Sequence, residues 1–168
     1  MAVLKKLPIL YLIQDNDWGI SATGSEMRAM DAYEYAAGFK GMERMRVDGS
    51  DFSDSFEGLS KAIEYVRKKR APILVHAKCP LLGHHTSGVR KEWYRGENLD
   101  LHQQDDPLAK LEKQLLEQVD ESTLASVRTK AAAFVETEYK KALSSSDPDI
   151  DDFDSHEFAP TPVTEEKG

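Results

Sequence analysis

Hydrophobic residues in this chain recur with two spacings, one typical of strands and the other typical of helices. Predominantly apolar segments lie at residues 7–13 and 71–77, and a shorter segment of strand character lies at residues 42–47. Apolar runs with β-branched and aromatic members predict strands buried on both faces, as in a parallel sheet covered by helices. The three segments therefore predict such a sheet.

Segments with helical periodicity separate these strands. Ser25 is predicted to cap a helix that runs from Glu26 to about Phe39. Residues 52–70 repeat apolar side chains at the spacing of one helix face and end in four cationic residues, which suit the helix dipole. The order strand, helix, strand, helix, strand predicts an α/β fold, with a parallel sheet flanked by helices.

The second half of the chain is predicted to contain a long loop and two helices. Helical periodicity stops after Cys79 and resumes near Asp105, and a loop of about 25 residues is usually functional or disordered. One helix is predicted to start at Asp105 or Asp106 with Pro107, and another is predicted over residues 121–143. We expect one domain over residues 1–143 and an acidic linker or disordered tail over residues 144–168.

Composition narrows the classes of partner. A chain of 168 residues with 40% hydrophobic content can bury one core. The net charge of −8 comes mostly from residues 144–168, which hold eight acids against Lys167 alone. The sequence has no basic footprint typical of nucleic-acid binding and no apolar run of the roughly 18 residues that cross a bilayer. We therefore expect neither a nucleic acid nor a membrane as a partner.

The first candidate site follows the strand at residues 7–13. Open parallel sheets bind ligands beyond the carboxyl ends of their strands. Asn16 lies at this edge, where its side-chain oxygen and the main-chain carbonyl of Trp18 are suitable ligands for Mg²⁺. The alternative is an ordinary Asn/Asp turn whose side chains bond to the local backbone. Two oxygens do not complete an octahedral site, so further ligands would come from elsewhere.

The second candidate is the pair His84 and His85 in the long loop. A histidine can donate a hydrogen bond to an oxyanion or move a proton near neutral pH. The alternative is a flexible polar loop, and a zinc site is disfavoured because other Cys or His ligands at the usual spacing are lacking. Residues 93–95 (Trp-Tyr-Arg) either anchor this loop or pack on the surface, and Cys79 has the character of a small buried hydrophobe.

Four blocks of sequence, taken together, resemble one protein family. They are residues 10–21, residues 46–51 (Arg-Val-Asp-Gly-Ser-Asp), residues 83–87 (Gly-His-His-Thr-Ser) with Tyr94-Arg95, and Asp106-Pro107. Their order and spacing are similar to those of the α subunit of thiamine-diphosphate-dependent 2-oxo acid dehydrogenases, nearest to the branched-chain (2-oxoisovalerate) enzyme. The chain resembles the C-terminal portion of the thiamine-diphosphate-binding domain.

The resemblance implies roles for four residues. Asn16 and the carbonyl of Trp18 match the ligands of the Mg²⁺ that holds the cofactor diphosphate, and Ile20 matches an apolar residue that packs against the cofactor. His85 matches the active-site histidine near the diphosphate and the substrate, with a role in binding and in proton or acyl transfer. Gln14 departs from the family pattern, because some relatives carry a basic residue there.

The resemblance also implies a reaction and partners. The family decarboxylates branched-chain 2-oxo acids and passes the acyl group to a lipoyl group on a partner acyltransferase. It places the cofactor at a junction with a β subunit, which supplies the glutamate that activates the cofactor. This chain lacks the Gly-Asp-Gly motif that precedes the Asn, so we expect a fragment, inactive alone, from an oligomeric enzyme. The acidic tail resembles a connector, which suggests an α/β fusion.

Other interpretations remain open from the sequence. One is a non-catalytic α/β interaction module that docks a partner through the histidine loop and the acidic tail. Another is a different thiamine-diphosphate enzyme, such as a pyruvate dehydrogenase or a transketolase-like protein. The expected location is the bacterial cytoplasm, or the mitochondrial matrix in a eukaryote.

Overall fold

The computed structural model describes residues 1–85, 90–96 and 98–152. The chain divides into two compact units, Met1–Val119 and Asp120–Gly168. The first unit contains all the strands of the described residues, and the second contains one long helix.

The first unit is built on a three-stranded parallel sheet. Its strands are β1 (Leu10–Asp15), β4 (Glu43–Asp48) and β5 (Ile73–Lys78), in the order β1-β5-β4. A short antiparallel hairpin, β2 (Trp18–Gly19) and β3 (Ala22–Thr23), follows β1. The parallel sheet and its helices confirm the predicted α/β fold.

Helix α3 (Phe52–Lys69) forms the core with the sheet. Its bounds confirm the predicted helix, since Asp51 caps it and Arg70 ends it in the left-handed conformation. The close approach of α3 to β4 requires Gly58, because a Cβ there would lie 2.3 Å from Val47 Cγ1. The buried core consists of Val47, Ala62, Ile73, Val75 and Ala77.

Two predictions near the amino end were wrong. The helix predicted from Ser25 to Phe39 is two short helices, α1 (Gly24–Met27) and α2 (Ala32–Ala36). Thr23 and not Ser25 precedes the first, and Asp31 caps the second through a capping box with Glu34. The extended backbone of Arg28 and Asp31 interrupts the helical hydrogen bonds between them.

The strand β1 also differs from its prediction, because it is not buried on both faces. Tyr11, Leu12 and Ile13 are 36%, 42% and 38% exposed. Side chains alternate between the two faces of a strand, so apolar surface is exposed on both. Within the described residues, β1 pairs with β5 alone and has no second neighbouring strand. The apolar run therefore forms an edge strand here.

The remaining helices partly confirm the predictions. Asp106 caps α5 (Pro107–Leu115), and Asp120 caps α6 (Glu121–Leu143). The segment predicted as a loop before Asp105 also contains a 3₁₀ turn (Lys91–Trp93) and α4 (Asn98–Gln104). Among the helices described, none has the length and apolar character that a membrane span requires. The tail beyond Asp152 lies outside the described residues.

Candidate functional site

A polar cleft lies at the carboxyl edge of the parallel sheet. The last residues of the three strands, Asp15, Lys78 and Asp48, are in register at this edge. The cleft has a volume of about 310 Å³. Its lining consists of Asp15, Asn16, Asp17, Asp48, Ser50, Lys78, Cys79, Pro80, Leu101, His102 and Asp105. This is the edge where open parallel sheets bind ligands.

The wall formed after β1 is a tight turn. Asp15 Oδ1 accepts a hydrogen bond from the Asp17 amide at 2.9 Å, and Asn16 Oδ1 accepts one from the Trp18 amide at 3.0 Å. Asp17 has a φ of 62°, in the left-handed region that Asp tolerates in turns. Asn16 therefore forms the turn that was the alternative interpretation of this residue. An amide oxygen has a second lone pair, so this bond leaves Asn16 able to bind a cation.

Arg28 and His76 hold the carboxylate that begins this turn. Arg28 donates to Asp15 Oδ2 at 2.8 Å and to Asp17 Oδ1 at 2.9 Å, and His76 Nε2 lies 2.8 Å from Asp15 Oδ2. Burial alone would raise the pKa of Asp15, but the hydrogen bonds from His76, the Asp17 amide and Arg28 lower it below its ordinary value. Asp15 is therefore ionised at neutral pH. A Cβ at Gly24 would lie 2.1 Å from Asp17 Oδ1, so a larger residue there would displace the Asp17 side chain.

The hairpin after the turn packs against the segment that follows the histidine loop. The rings of Trp18 and Tyr94 lie 5.6 Å apart, and the Arg95 guanidinium lies 5.5 Å from the Trp18 ring. Arg95 is buried and also donates to the Leu81 carbonyl. The interpretation of residues 93–95 as an anchor is confirmed for Tyr94 and Arg95, whereas Trp93 is largely exposed.

Ile20 lies at the tip of this hairpin in a strained conformation. Its φ is 60°, a value that a β-branched residue rarely adopts, and its side chain is about half exposed. Strained residues persist where the surrounding structure fixes them, and they concentrate at functional sites. An exposed apolar side chain held in this way is available to pack against a ligand.

The opposite wall of the cleft is a network of hydrogen bonds. Asp48 Oδ1 accepts from the Ser50 hydroxyl at 2.7 Å, and Lys110 donates to Ser50 Oγ at 2.8 Å and to Asp105 Oδ1 at 2.7 Å. The hydrogen bond from Ser50 holds the pKa of Asp48 below its ordinary value. The bond to Asp105 raises the pKa of Lys110. Asp48 and Lys110 therefore stay ionised near neutral pH, and the hydrogen bonds fix the shape of this wall.

His102 and Cys79 complete the cleft as uncharged groups. Burial, followed by the charge of Arg95, lowers the pKa of His102 below its ordinary value. Its Nδ1 accepts from the Leu81 amide at 2.7 Å, so the proton of the neutral ring is on Nε2. Burial, with Asp15 and Asp48 nearby, raises the pKa of the Cys79 thiol. Cys79 is therefore a protonated thiol at neutral pH, as expected of a small hydrophobe and not of a nucleophile.

The histidine loop is described only to its first half. His85 is exposed, while His84 Nδ1 accepts from the Lys91 amide at 3.1 Å. Thr86 and Ser87, the next residues of the resemblance, lie outside the described residues. The structure therefore shows that His84 has a local structural contact and that His85 is accessible.

The predicted site residues are not all in one place. Of the four, Asn16 lines the cleft as described, whereas Trp18, Ile20 and His85 lie outside its lining. Sequence reasoning missed the other polar residues of the cleft, in particular Asp15, Asp48, Ser50, Lys78 and His102. Asp48 and Lys78 directly follow predicted strands and Asp15 lies two residues after one, so the convergence of parallel strand ends was the signal that would have found these three.

The donor set of the cleft fits part of a magnesium site. Asn16 supplies an amide oxygen to the cleft, and Mg²⁺ prefers oxygen ligands. Trp18 follows two residues later and is not among the lining residues. Arg28 forms ion pairs with the carboxylates of Asp15 and Asp17. Among the residues described, no group of three or more His, Cys, Asp and Glu side chains is arranged to bind a metal. The remaining ligands of such a site would come from a phosphate, water or residues outside this cleft.

The fold and cleft define an α/β protein with a polar cleft at the strand ends of a parallel sheet. Residues 1–151 match the family described as the dehydrogenase E1 component. The chain therefore belongs to the dehydrogenase E1 component family.

Several relatives agree on a subunit type. The chain is 26% identical to the pyruvate dehydrogenase E1 component subunit alpha of Rickettsia conorii over 152 residues, which cover 89% of this chain and 46% of the relative. It is 32% identical over 141 residues to the chloroplastic subunit alpha-3 of that component from Oryza sativa (81% and 32% covered). It is 27% identical over 95 residues to the mitochondrial 2-oxoisovalerate dehydrogenase subunit alpha 2 of Arabidopsis thaliana (56% and 20% covered). The chain spans less than half the length of each.

Proposed function

We propose that this chain forms part of the thiamine-diphosphate site in the α subunit of a decarboxylating 2-oxo acid dehydrogenase. The observation that supports the proposal most directly is the turn after β1, which brings the Asn16 amide oxygen to a polar cleft at the strand ends. Family membership and the alpha-subunit relatives support the same activity.

Each of the four predicted residues has a role in this proposal. Asn16 Oδ1 and the Trp18 carbonyl would bind the Mg²⁺ of the cofactor diphosphate, and Ile20 would pack against the cofactor from the hairpin tip. His85 would contact the phosphate or substrate and assist proton or acyl transfer. When bound, the cofactor would supply the nucleophilic carbon for decarboxylation of the 2-oxo acid.

The remaining cleft residues would shape the site and keep it polar. Arg28 offsets the charge of the two aspartates that flank Asn16, so the turn presents neutral oxygens. On the opposite wall, Lys110 offsets the negative charge of Asp48 and Asp105. A neutral His102 would donate from Nε2, because its Nδ1 already accepts the Leu81 amide.

The finer proposal concerns substrate and partners. We propose a branched-chain 2-oxo acid, on the basis of the His84-His85 pair, whereas most of the named relatives support pyruvate. A β subunit or fused β half, a lipoyl acyltransferase and an oligomeric assembly are part of the proposal. So is a location in the bacterial cytoplasm or the mitochondrial matrix.

Calorimetric titration of thiamine diphosphate, with and without Mg²⁺, into the assembled enzyme that contains this chain tests the proposal. We expect Mg²⁺-dependent binding that Asn16→Ala weakens at least about tenfold, the scale for loss of a ligating group near a metal. Gln114→Ala, an exposed amide on α5, is the matched control and should bind as the unaltered chain does. Equal affinity of both variants would remove Asn16 from the site.

Turnover of the same assembly separates the candidate substrates. A ratio of kcat/KM that favours 3-methyl-2-oxobutanoate over pyruvate supports the branched-chain assignment, and the reverse ratio supports pyruvate. Absence of cofactor binding and of turnover would instead favour the non-catalytic interaction module. His85→Ala should lower acyl transfer without changing thermal stability, because His85 is exposed.

A further inference from the structure

His76 is one of the most completely buried side chains of the sheet. It lies on β5, which has a neighbouring strand on each side, and only 1% of it is exposed. It points away from the α3 core, since Val75 and Ala77 on either side of it belong to that core. Burial of a polar ring is costly unless it is hydrogen-bonded. The partners of His76 therefore explain its presence in an otherwise apolar segment.

The ring is held from the Nε2 side by the end of β1. Nε2 lies 2.8 Å from Asp15 Oδ2. Asp15 Oδ1 accepts from the Asp17 amide, and Arg28 donates to both carboxylate oxygens of Asp15, so this carboxylate is arranged as an acceptor of hydrogen bonds. Nε2 therefore carries a proton and donates it. On the other side, Nδ1 lies 3.7 Å from Asp31 Oδ2 and has no hydrogen-bond partner among the described residues.

Asp15 in turn determines the shape of the turn at the cleft. Its Oδ1 accepts hydrogen bonds from the Asp17 amide at 2.9 Å and from Arg28 at 3.0 Å, while its Oδ2 accepts from Arg28 and lies 2.8 Å from His76 Nε2. Because one planar carboxylate makes these bonds, fixing Oδ2 also fixes the position of Oδ1. Asn16 lies in the chain between Asp15 and Asp17, whose amide donates to Asp15 Oδ1. The orientation of the Asn16 backbone therefore depends on the Asp15 carboxylate, which His76 Nε2 and Arg28 hold together.

We propose that His76 is a positioning residue, whose Nε2–H fixes Asp15 and through it the turn that presents Asn16 and the Trp18 carbonyl to a metal-bound diphosphate. The identity of that ligand rests on the proposed function. The ordering of the turn does not, because it is a property of the ligand-free chain and can be measured there.

Two substitutions of similar polarity separate positioning from burial. The amide nitrogen of His76→Gln reaches the place of Nε2 and can donate to Asp15, whereas that of His76→Asn reaches only the place of Nδ1, on the side of Asp31. Hydrogen exchange of the Asp17 amide in the 168-residue chain, followed by NMR, is the readout. We expect the Asn variant to exchange this amide about tenfold faster than the Gln variant, because a bond to a charged group is lost.

A second readout connects the turn to the ligand. Mn²⁺ with thiamine diphosphate is titrated into the same three proteins, with line broadening of the Trp18 amide as the signal. The Gln variant should resemble the unaltered chain, and the Asn variant should need about tenfold more Mn²⁺. If no protein responds to Mn²⁺ while the exchange rates differ as expected, this chain does not bind the metal-bound diphosphate by itself, and the positioning of the turn stands.

Equal exchange rates in folded Gln and Asn variants would overturn the proposal. Where both variants fail to fold, the unaltered chain decides, because nitrogen-15 spectra of the His76 ring report which nitrogen is protonated. A protonated Nε2 supports the donor arrangement. A ring with its only proton on Nδ1 cannot donate to Asp15 and would overturn it.

Discussion

The strands β5 and β1 are neighbours in one sheet and have similar apolar sequences, yet their surroundings differ. β5 lies in the middle and buries Ile73, Val75 and His76 almost completely. β1 lies at the edge and exposes Tyr11, Leu12 and Ile13 on its two faces. The comparison shows that an apolar run predicts a strand and its preference for burial, whereas the burial itself depends on elements packed against it.

The two strands also end differently. Pro80 lies two residues after the end of β5, and none of the residues 79–85 has a positive φ. The residues that follow β1 include Asp17 and Ile20, both with φ near 60°. Strain at the end of β1 coincides with the proposed ligand contacts, so the strand that contributes least to the core contributes most to the candidate site.

The largest effect expected from this difference concerns a matched pair of isoleucines. Ile73→Ala on β5 should lower the free energy of unfolding by about 2–5 kcal/mol, because it leaves a cavity in the core. Ile13→Ala on β1 should cost less than about 1 kcal/mol in the isolated chain, since its side chain is already partly in water. Urea denaturation measures both values, and equal losses would mean that β1 is covered in solution.

A smaller effect is expected at Asp15, the one buried residue of β1. The pKa of Asp15 is lower in the folded chain than its ordinary value, so its ionised form stabilises the fold. This stabilisation is present above the ordinary pKa, about 3.9, and is lost as the pH falls through the lower folded value.

Asp15→Asn should therefore be less stable than the unaltered chain at pH 7, and the two should converge as the pH falls through the lowered pKa of Asp15. Thermal unfolding across this pH range measures the convergence. A difference that stays constant with pH would show that the effect comes from the shape of the side chain and not from its charge.

The exposed apolar side chains of β1 are expected to cause self-association of the isolated chain. An adjoining hollow of about 280 Å³ is lined by apolar side chains that include Tyr11, Phe39 and Leu74. Ile13→Lys should raise the dissociation constant of self-association about tenfold, because a charge replaces apolar contact area. Ile150→Lys, at a more exposed position in the second unit, is the control. Sedimentation velocity that finds a monomer for the unaltered chain would contradict this expectation.

The smallest effect concerns the strain after β1. Ile20→Gly removes a β-branched residue from a positive φ and should stabilise the fold by up to about 1 kcal/mol. The same change should weaken cofactor binding, because it deletes the proposed apolar contact. A variant that is both more stable and equal in affinity would remove Ile20 from the site.

Much of the fold was predictable because local patterns determine it. The strands at residues 42–47 and 71–77 and the helices α3, α5 and α6 all appear close to their predicted bounds. The helix predicted from Ser25 is interrupted where Arg28 and Asp31 have an extended backbone. Their side chains bond to the distant residues Asp15 and Arg46. Such long-range contacts have no signature in local periodicity.

The site was predictable only in part for the same reason. Asn16 was found because it follows a strand, and Asx turns were correctly considered as its alternative. His76 was missed because a histidine within an apolar run has no distinguishing local pattern, and its role depends on residue Asp15, 61 positions away. Pairing of distant residues across a sheet requires the register, which the sequence does not display.

The most direct test of the candidate site is paramagnetic line broadening by Mn²⁺ in the 168-residue chain, with and without thiamine diphosphate. Mn²⁺ binds to the same oxygen ligands as Mg²⁺. We predict that thiamine diphosphate enhances broadening of the Asn16, Asp17 and Trp18 amides, and that Asn16→Ala abolishes this enhancement while Gln114→Ala preserves it. Broadening confined to the acidic residues beyond Ser144, and unaffected by thiamine diphosphate, would contradict a cofactor site at the end of β1.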